Sequence, residues 1–139
     1  MTATAIQRPT IAAATPGRGV LTGRIVTALL TAFLVVDAGG KLFRTGPAVE
    51  GTHALGFADH HVVLIGALLA VGVALHLAPR TAFLGAVYLT AYLGGAVAAH
   101  VRQDNLASVA FTVLVAVAMW AGYVLRDPRV RQLAAATRA

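Results

Sequence analysis

Cysteine is absent from the 139-residue chain, and charged and aromatic residues are scarce. Without a thiol the chain has no disulfide, no thiolate nucleophile and no cysteine-ligated zinc or iron–sulfur site. Charged residues make up 12% of the chain and aromatic residues 6%, whereas hydrophobic residues reach 58%. Mean hydropathy is +0.78. This composition excludes a disordered chain and favours a membrane protein over a soluble domain.

Acidic residues are the scarcest charged group. Five Asp and Glu residues stand against 11 Lys and Arg residues, which gives a net charge of +6. In a soluble protein such an excess would indicate nucleic-acid binding. Here the basic residues lie at the ends of apolar segments and form no aromatic-rich patch. We therefore expect no nucleic-acid partner and interpret the positive charge as a marker of membrane orientation.

Four apolar stretches occupy most of the chain, at residues 25–43, 62–78, 81–99 and 106–125. Each is close to the ~20 residues that a helix needs to cross a bilayer. They predict an all-α, multi-pass protein of the cell membrane, a bundle of four transmembrane helices. Residues 21–133 form the predicted membrane domain, between a mobile tail at 1–20 and a short tail at 134–139. A cleaved signal peptide is the less favoured interpretation of the first stretch, because three more follow it.

The connections between the stretches predict local structure. Stretches two and three are joined by a short turn, so they should form an antiparallel hairpin with Pro79 at the start of the third helix. Asp104 or Asn105 is suited to cap the fourth helix. The first connection is longer, and a short helix is expected to begin around Pro47 and to stop near Gly56.

Lysine and arginine are distributed unequally between the two predicted sides of the membrane. Cytoplasmic segments carry an excess of these residues, so both termini are predicted to be cytoplasmic. The cytoplasmic side would hold Arg8, Arg18, Arg24, Arg80, Arg126, Arg129, Arg131 and Arg138, and the outer side Lys41, Arg44 and Arg102.

Small residues recur at four-residue spacing in two of the stretches. The third stretch has Ala91, Gly95 and Ala99, and the second repeats the spacing from Gly66. Small residues at this spacing let helix backbones approach closely in lipid, so we expect both sets to lie at helix contacts. The alternative is that alanine and glycine are simply frequent in this composition.

The third and fourth stretches resemble the DoxX-like family of small four-helix membrane proteins. The resemblance is carried by the Pro79-Arg80 start of segment 79–86, by segment 89–102 and by Trp120 with the 125–129 motif. Asp37 and Lys41 fit the family's usual polar pair in the first helix. Two positions depart from the pattern, since Leu69 stands where members often carry a glutamate and His76 where a tyrosine is frequent. The resemblance implies the four-helix fold, and relatives in this family are linked to thiosulfate–quinone and oxidative-stress redox complexes.

Five polar residues are predicted to meet in the outer half of the bundle. A rise of ~1.5 Å per residue places Asp37, Lys41, Tyr92, His100 and Arg102 in this outer half, although they come from two helices. A membrane-embedded charge needs a partner, so Asp37 would pair with Lys41, or with Arg102 across the bundle, and fix the packing.

The second interpretation of these residues is a pocket for the polar end of an apolar ligand. Asp37 would act as acid or base, with His100 as its partner and Tyr92 as a hydrogen-bond donor. The substrate-binding candidates are Lys41, Arg102 and Tyr88, since Tyr88 is four residues from Tyr92. Packing at a helix interface is the alternative role for the tyrosines.

Neither a metal nor a cofactor is indicated by the remaining histidines. The Asp59-His60-His61 run lies in a loop and lacks the spacing of a helical metal site, so no metal is expected. His76 and His100 are predicted at opposite ends of the bundle, roughly 25–30 Å apart in height. They cannot both be axial ligands of one haem.

Three functions remain open from the sequence. The chain could bind an apolar small molecule within the bundle, with quinone-linked redox as the case that the family resemblance implies. It could instead be a non-catalytic accessory subunit that docks a partner protein or a second copy in the bilayer. It could also be an acid–base enzyme of the isomerase or epoxide-opening type that uses Asp37, Tyr92 and His100. Whether the protein is an enzyme is not determined by the sequence.

Overall fold

Five α-helices form within residues 18–127, the part of the chain that the computed structural model describes. They are α1 (Arg18–Leu42), α2 (Gly46–Ala54), α3 (His61–Leu77), α4 (Ala82–Arg102) and α5 (Leu106–Arg126). The four long helices coincide with the four apolar stretches, and α2 is the short helix predicted in the first connection. Residues 18–20, which the sequence assigns to a tail, form the first turn of α1. The other tail residues, Arg8 and the three basic residues after Pro128 lie outside the described range.

Three of the helices, α1, α4 and α5, are long and apolar enough to cross a membrane. The fourth apolar helix, α3, has 17 residues, which corresponds to roughly 25 Å. In hydrocarbon every backbone N–H and C=O must be bonded within its own segment. Apolar runs of this length therefore form helices despite their many β-branched residues. The structure thus agrees with a multi-pass membrane protein.

The four long helices pack in a ring. Helix α1 packs against α3 and α5, and α4 packs against the same two helices, whereas no Cα atoms of the diagonal pairs come within 8 Å of each other in the described range. We call the end of the bundle that holds Arg18, Leu77 and Arg126 the terminal end, and the end that holds Leu42, His61 and Arg102 the loop end. Helix α2 lies at the loop end, where it packs against α1 and α3.

Apolar side chains face both the inside and the outside of this bundle. The core includes Leu34, Leu69, Leu89 and Met119, all buried. Large apolar side chains are also exposed along every long helix, among them Leu29, Leu64, Leu84 and Leu114. A soluble domain rarely exposes such a continuous apolar surface, so this outer face is suited to lipid.

Helix ends partly match the sequence prediction. The side chain of Asn105 accepts a hydrogen bond of 3.0 Å from the backbone N–H of Ser108, which confirms it as the cap of α5. Asp104 adopts a left-handed conformation (φ 51°) and ends α4. Pro79 does not begin α4, because the helix starts at Ala82 and Pro79 lies in the preceding turn.

Glycines allow the backbones of neighbouring helices to approach closely. A Cβ atom at Gly85 of α4 would overlap the backbone of His76 in α3. A Cβ at Gly23 would lie 2.7 Å from the Cβ of Leu125, and one at Gly66 would lie 2.7 Å from the Cβ of Lys41. These glycines join α3 to α4, α1 to α5 and α3 to α1. The predicted contact at Gly66 is confirmed.

The small-residue stripe of α4 behaves differently from the prediction. A Cβ at Gly95 would meet no atom within 4 Å, and the same is true of Gly94. Gly95 therefore makes no close helix contact, and the packing role predicted for it is wrong. With Ala91 and Ala99, Gly95 instead borders open space inside the bundle.

Candidate functional site

A half-open cavity of about 520 Å³ lies at the loop end of the bundle. Its inner walls include Leu34 of α1 and Val115 of α5, which belong to the buried core. Helix α4 contributes the small residues Ala91, Gly95 and Ala99. The roof is formed by α2 and by the loop after it. The lining is mainly apolar, and the volume falls within the range of about 300–1,000 Å³ that is typical of small-molecule sites.

Six polar side chains line this cavity, and four of them have hydrogen-bond partners in the protein. Asp37 and Lys41 form an ion pair one helical turn apart, and their side chains are 36% and 14% exposed. Thr52 donates to the carbonyl of Ala48 at 2.7 Å. Thr112 donates similarly to a carbonyl of its own helix. These interactions are internal to single helices.

The two remaining polar side chains are those of Tyr92 and His100. Neither makes a side-chain hydrogen bond to any residue between 18 and 127, and the Nδ1 atom of His100 is buried without a partner. Buried polar groups in proteins nearly always have partners. The hydroxyl of Tyr92 and the imidazole of His100 thus belong to cavity-lining residues that make no side-chain hydrogen bond to another described residue.

The structure brings together four of the six residues that the sequence indicates as a site. Asp37 and Lys41 of α1 and Tyr92 and His100 of α4 line the same cavity. They line one cavity because α1 and α4 face each other diagonally across the ring and all four residues lie towards the loop end. Of the two partners suggested for Asp37, the structure selects Lys41.

Arg102 and Tyr88 do not line the cavity. Arg102 instead donates from Nη2 to the carbonyl oxygen of Leu55 at 2.6 Å, so it ties the end of α4 to the roof. Tyr88 packs against α3, where a Cβ at Gly72 would lie 2.6 Å from its ring. Arg102 thus supports the cavity from outside, and Tyr88 belongs to the contact between α3 and α4.

A second arginine fastens the roof to α1. Arg44, in a left-handed conformation (φ 54°), donates from Nη2 to both carboxylate oxygens of Asp59 at 2.6 Å. His53 Nε2 lies 3.5 Å from the same carboxylate. The Arg44 guanidinium lowers the pKa of Asp59 below its ordinary value. The Asp59 carboxylate therefore stays charged at neutral pH, and its pair with Arg44 closes the loop that follows α2.

Several cavity residues were missed by the sequence analysis. Phe33 of α1 and Phe111 of α5 line the cavity, with ring centroids 5.7 Å apart in an edge-to-face arrangement. Their sequence surroundings are uniformly apolar, so no local signal separates them from lipid-facing phenylalanines. The roof residues of α2 were likewise missed, because the sequence predicts the helix but not where it packs.

The other histidines lie away from this cavity. His76 is buried at the terminal end, with Nδ1 3.2 Å from the carbonyl oxygen of Ala82, and it lies near the ring of Tyr123. It therefore lies at the end of the bundle opposite His100, as predicted. Within residues 18–127, no three His, Asp or Glu side chains are grouped so as to hold a metal ion.

Comparison with known proteins gives one match. The sequence profile of the DoxX-like family matches residues 25–122, which extend from α1 into α5 and include the whole cavity. No curated protein and no solved structure matches the chain.

Proposed function

Because the chain belongs to the DoxX-like family of membrane proteins, we propose that it spans the bilayer four times and binds a small apolar molecule at the loop end. The observation that carries the proposal is the pair of unused polar groups in the cavity, the hydroxyl of Tyr92 and the imidazole of His100. A bound molecule with a hydrogen-bonding head would offer a partner to the Tyr92 hydroxyl and to the part of the His100 ring that lines the cavity. The apolar lining would hold the rest of the molecule.

The charges in the cavity favour a neutral head group. Asp37 and Lys41 neutralise each other, and an anionic or cationic ligand would have to displace one of them. Tyr92 donates a hydrogen bond, and imidazole donates or accepts one according to its tautomer. A quinone satisfies these requirements, since its carbonyl oxygens accept hydrogen bonds while its ring is apolar. We propose a quinone-like ligand, which is also the ligand class that suits a redox role.

The binding test uses 2,3-dimethoxy-5-methyl-1,4-benzoquinone, a quinone head without a tail. Tyr92→Phe removes one hydroxyl and keeps the ring, so we expect binding to weaken roughly fivefold with little change in melting temperature. The matched control is Tyr88→Phe, the same change one turn away on α4 but outside the cavity. Isothermal titration calorimetry and thermal melts in one detergent measure both quantities.

A second variant tests the other unused group. His100→Gln should also weaken quinone binding, whereas His60→Gln, in the connection before α3, should not. Unchanged affinity in both Tyr92→Phe and His100→Gln would refute the binding proposal. The accessory-subunit function would then be favoured.

The proposed topology places the terminal end in the cytoplasm. Among the described residues that end carries Arg18, Arg24, Arg80 and Arg126, and the loop end carries three basic residues. Because the chain has no cysteine, single introduced cysteines report topology without background. Cysteine is introduced only at uncharged positions, so that the basic residues that orient the protein stay in place.

In intact cells, an impermeant maleimide should label Gln103→Cys, in the turn between α4 and α5. It should label Ala78→Cys, in the turn between α3 and α4, only after lysis. Labelling of both positions from one side would contradict the four-span topology.

A further inference from the structure

A second depression runs along the outside of the bundle between α1 and α2. We call it the outer groove; it has a volume of about 570 Å³. Phe33, Asp37, Pro47 and Ala48 line both this groove and the cavity. The two spaces therefore share a wall that these four residues form. The groove alone is lined by Val36, Gly39, Gly40, Phe43 and Thr45.

The outer groove faces the side of the protein that is suited to lipid. Val36 is 73% exposed and Phe43 is 86% exposed, and both are large apolar residues of the groove. Val36 belongs to α1, a membrane-span candidate, and Phe43 directly follows that helix. A molecule in the groove would therefore lie in the outer leaflet of the bilayer, against the surface of α1.

Two other sides of the cavity, the roof and the core side, are closed to a long chain. Helix α2 forms the roof, which Arg102 ties to α4 and Arg44 ties to α1 through Asp59. Towards the core, the cavity ends at the buried side chains of Leu34 and Val115. The wall shared with the outer groove is thus one side on which a ligand could extend into lipid.

We propose that the outer groove holds the apolar tail of the molecule whose head binds in the cavity, so that the ligand is a quinone with a single alkyl or isoprenoid chain. This inference rests on the proposed function. The groove gives the tail little hydrophobic gain, because lipid is equally apolar. The groove instead gives the tail a path out of the cavity. A ligand with one slender tail therefore fits, whereas a ligand with a bulky substituent does not.

Gly39 provides a direct test of the tail path. It lies in the groove but not in the cavity lining, and a Cβ there would meet no atom within 4 Å. Gly39→Leu should therefore fold normally and fill the groove. The matched control is Gly94→Leu on α4, which also has open space for a Cβ but lies outside both spaces.

The two probes are the tail-free benzoquinone above and its 6-decyl derivative, titrated at one detergent concentration. Gly39→Leu should weaken binding of the decyl probe about tenfold, because the blocked tail has no path. Binding of the tail-free probe should not change, and Gly94→Leu should alter neither affinity. Melting temperatures of the two variants should match that of the unaltered protein.

Each other outcome counts against the inference. Equal effects of Gly39→Leu on both probes, or of both leucine variants on the decyl probe, would overturn the tail path. If Tyr92→Phe weakens both probes and Gly39→Leu weakens neither, the cavity proposal stands and the groove proposal fails. If the unaltered protein binds neither probe, both proposals are wrong.

Discussion

Gly85→Ala is expected to lower the free energy of unfolding by about 3 kcal/mol. The added methyl group would overlap backbone atoms of Leu75 and His76 in α3. Backbone atoms cannot rotate away as the end of a side chain can, so α3 and α4 must separate along this contact. Separation would also disturb the hydrogen bonds of the turn between them, where Thr81 donates to the carbonyl of Leu75 at 2.8 Å.

The matched control for this prediction is Gly94→Ala. Gly94 lies on the same helix, and its new methyl group would meet no atom within 4 Å. Alanine favours a helix over glycine by about 0.5–1 kcal/mol, so this variant should be slightly stabilised. Unfolding in mixed detergent micelles measures both variants. Equal stability of the two would show that α3 and α4 do not approach as closely as the structure has them.

The second large effect is expected at the ion pair of the cavity. Asp37→Asn leaves the ammonium of Lys41, whose side chain is only 14% exposed, without its counter-charge. Breaking a buried pair costs about 3–5 kcal/mol. Because Asp37 is partly exposed, we expect Asp37→Asn to lower the free energy of unfolding by about 2 kcal/mol. Asp37→Asn combined with Lys41→Met should recover much of this loss, since the unpaired charge is removed.

Two comparisons show whether this loss of stability is specific to the Asp37–Lys41 pair. Asp59→Asn breaks the exposed pair with Arg44 and should cost less stability, because water solvates the freed guanidinium. Losses that simply add in the Asp37 and Lys41 double variant would show that the two residues are not coupled. If the stable double variant still binds the quinone head, the pair has a structural role. If it does not, the charges contribute to binding.

Much of the fold follows from the sequence. Hydrocarbon forces apolar stretches of this length into helices, so the four long helices could be predicted from composition and length alone. The heights of polar residues also follow, because each helical residue rises by ~1.5 Å. This is why Asp37, Tyr92 and His100 were expected in the same half of the bundle before their cavity was known. The cap at Asn105 followed from local chemistry in the same way.

Rotation of each helix about its axis could not be predicted and was decided by tertiary packing. In a soluble protein the apolar face of a helix points to the core, but in a membrane lipid and core are equally apolar, so this signal is lost. Arg102 and Tyr88 were both expected at the site, yet neither lines the cavity. Gly85 and Gly95 are also alike in sequence, since both are glycines of the apolar helix α4. Packing alone places Gly85 against a neighbouring backbone and leaves Gly95 beside open space.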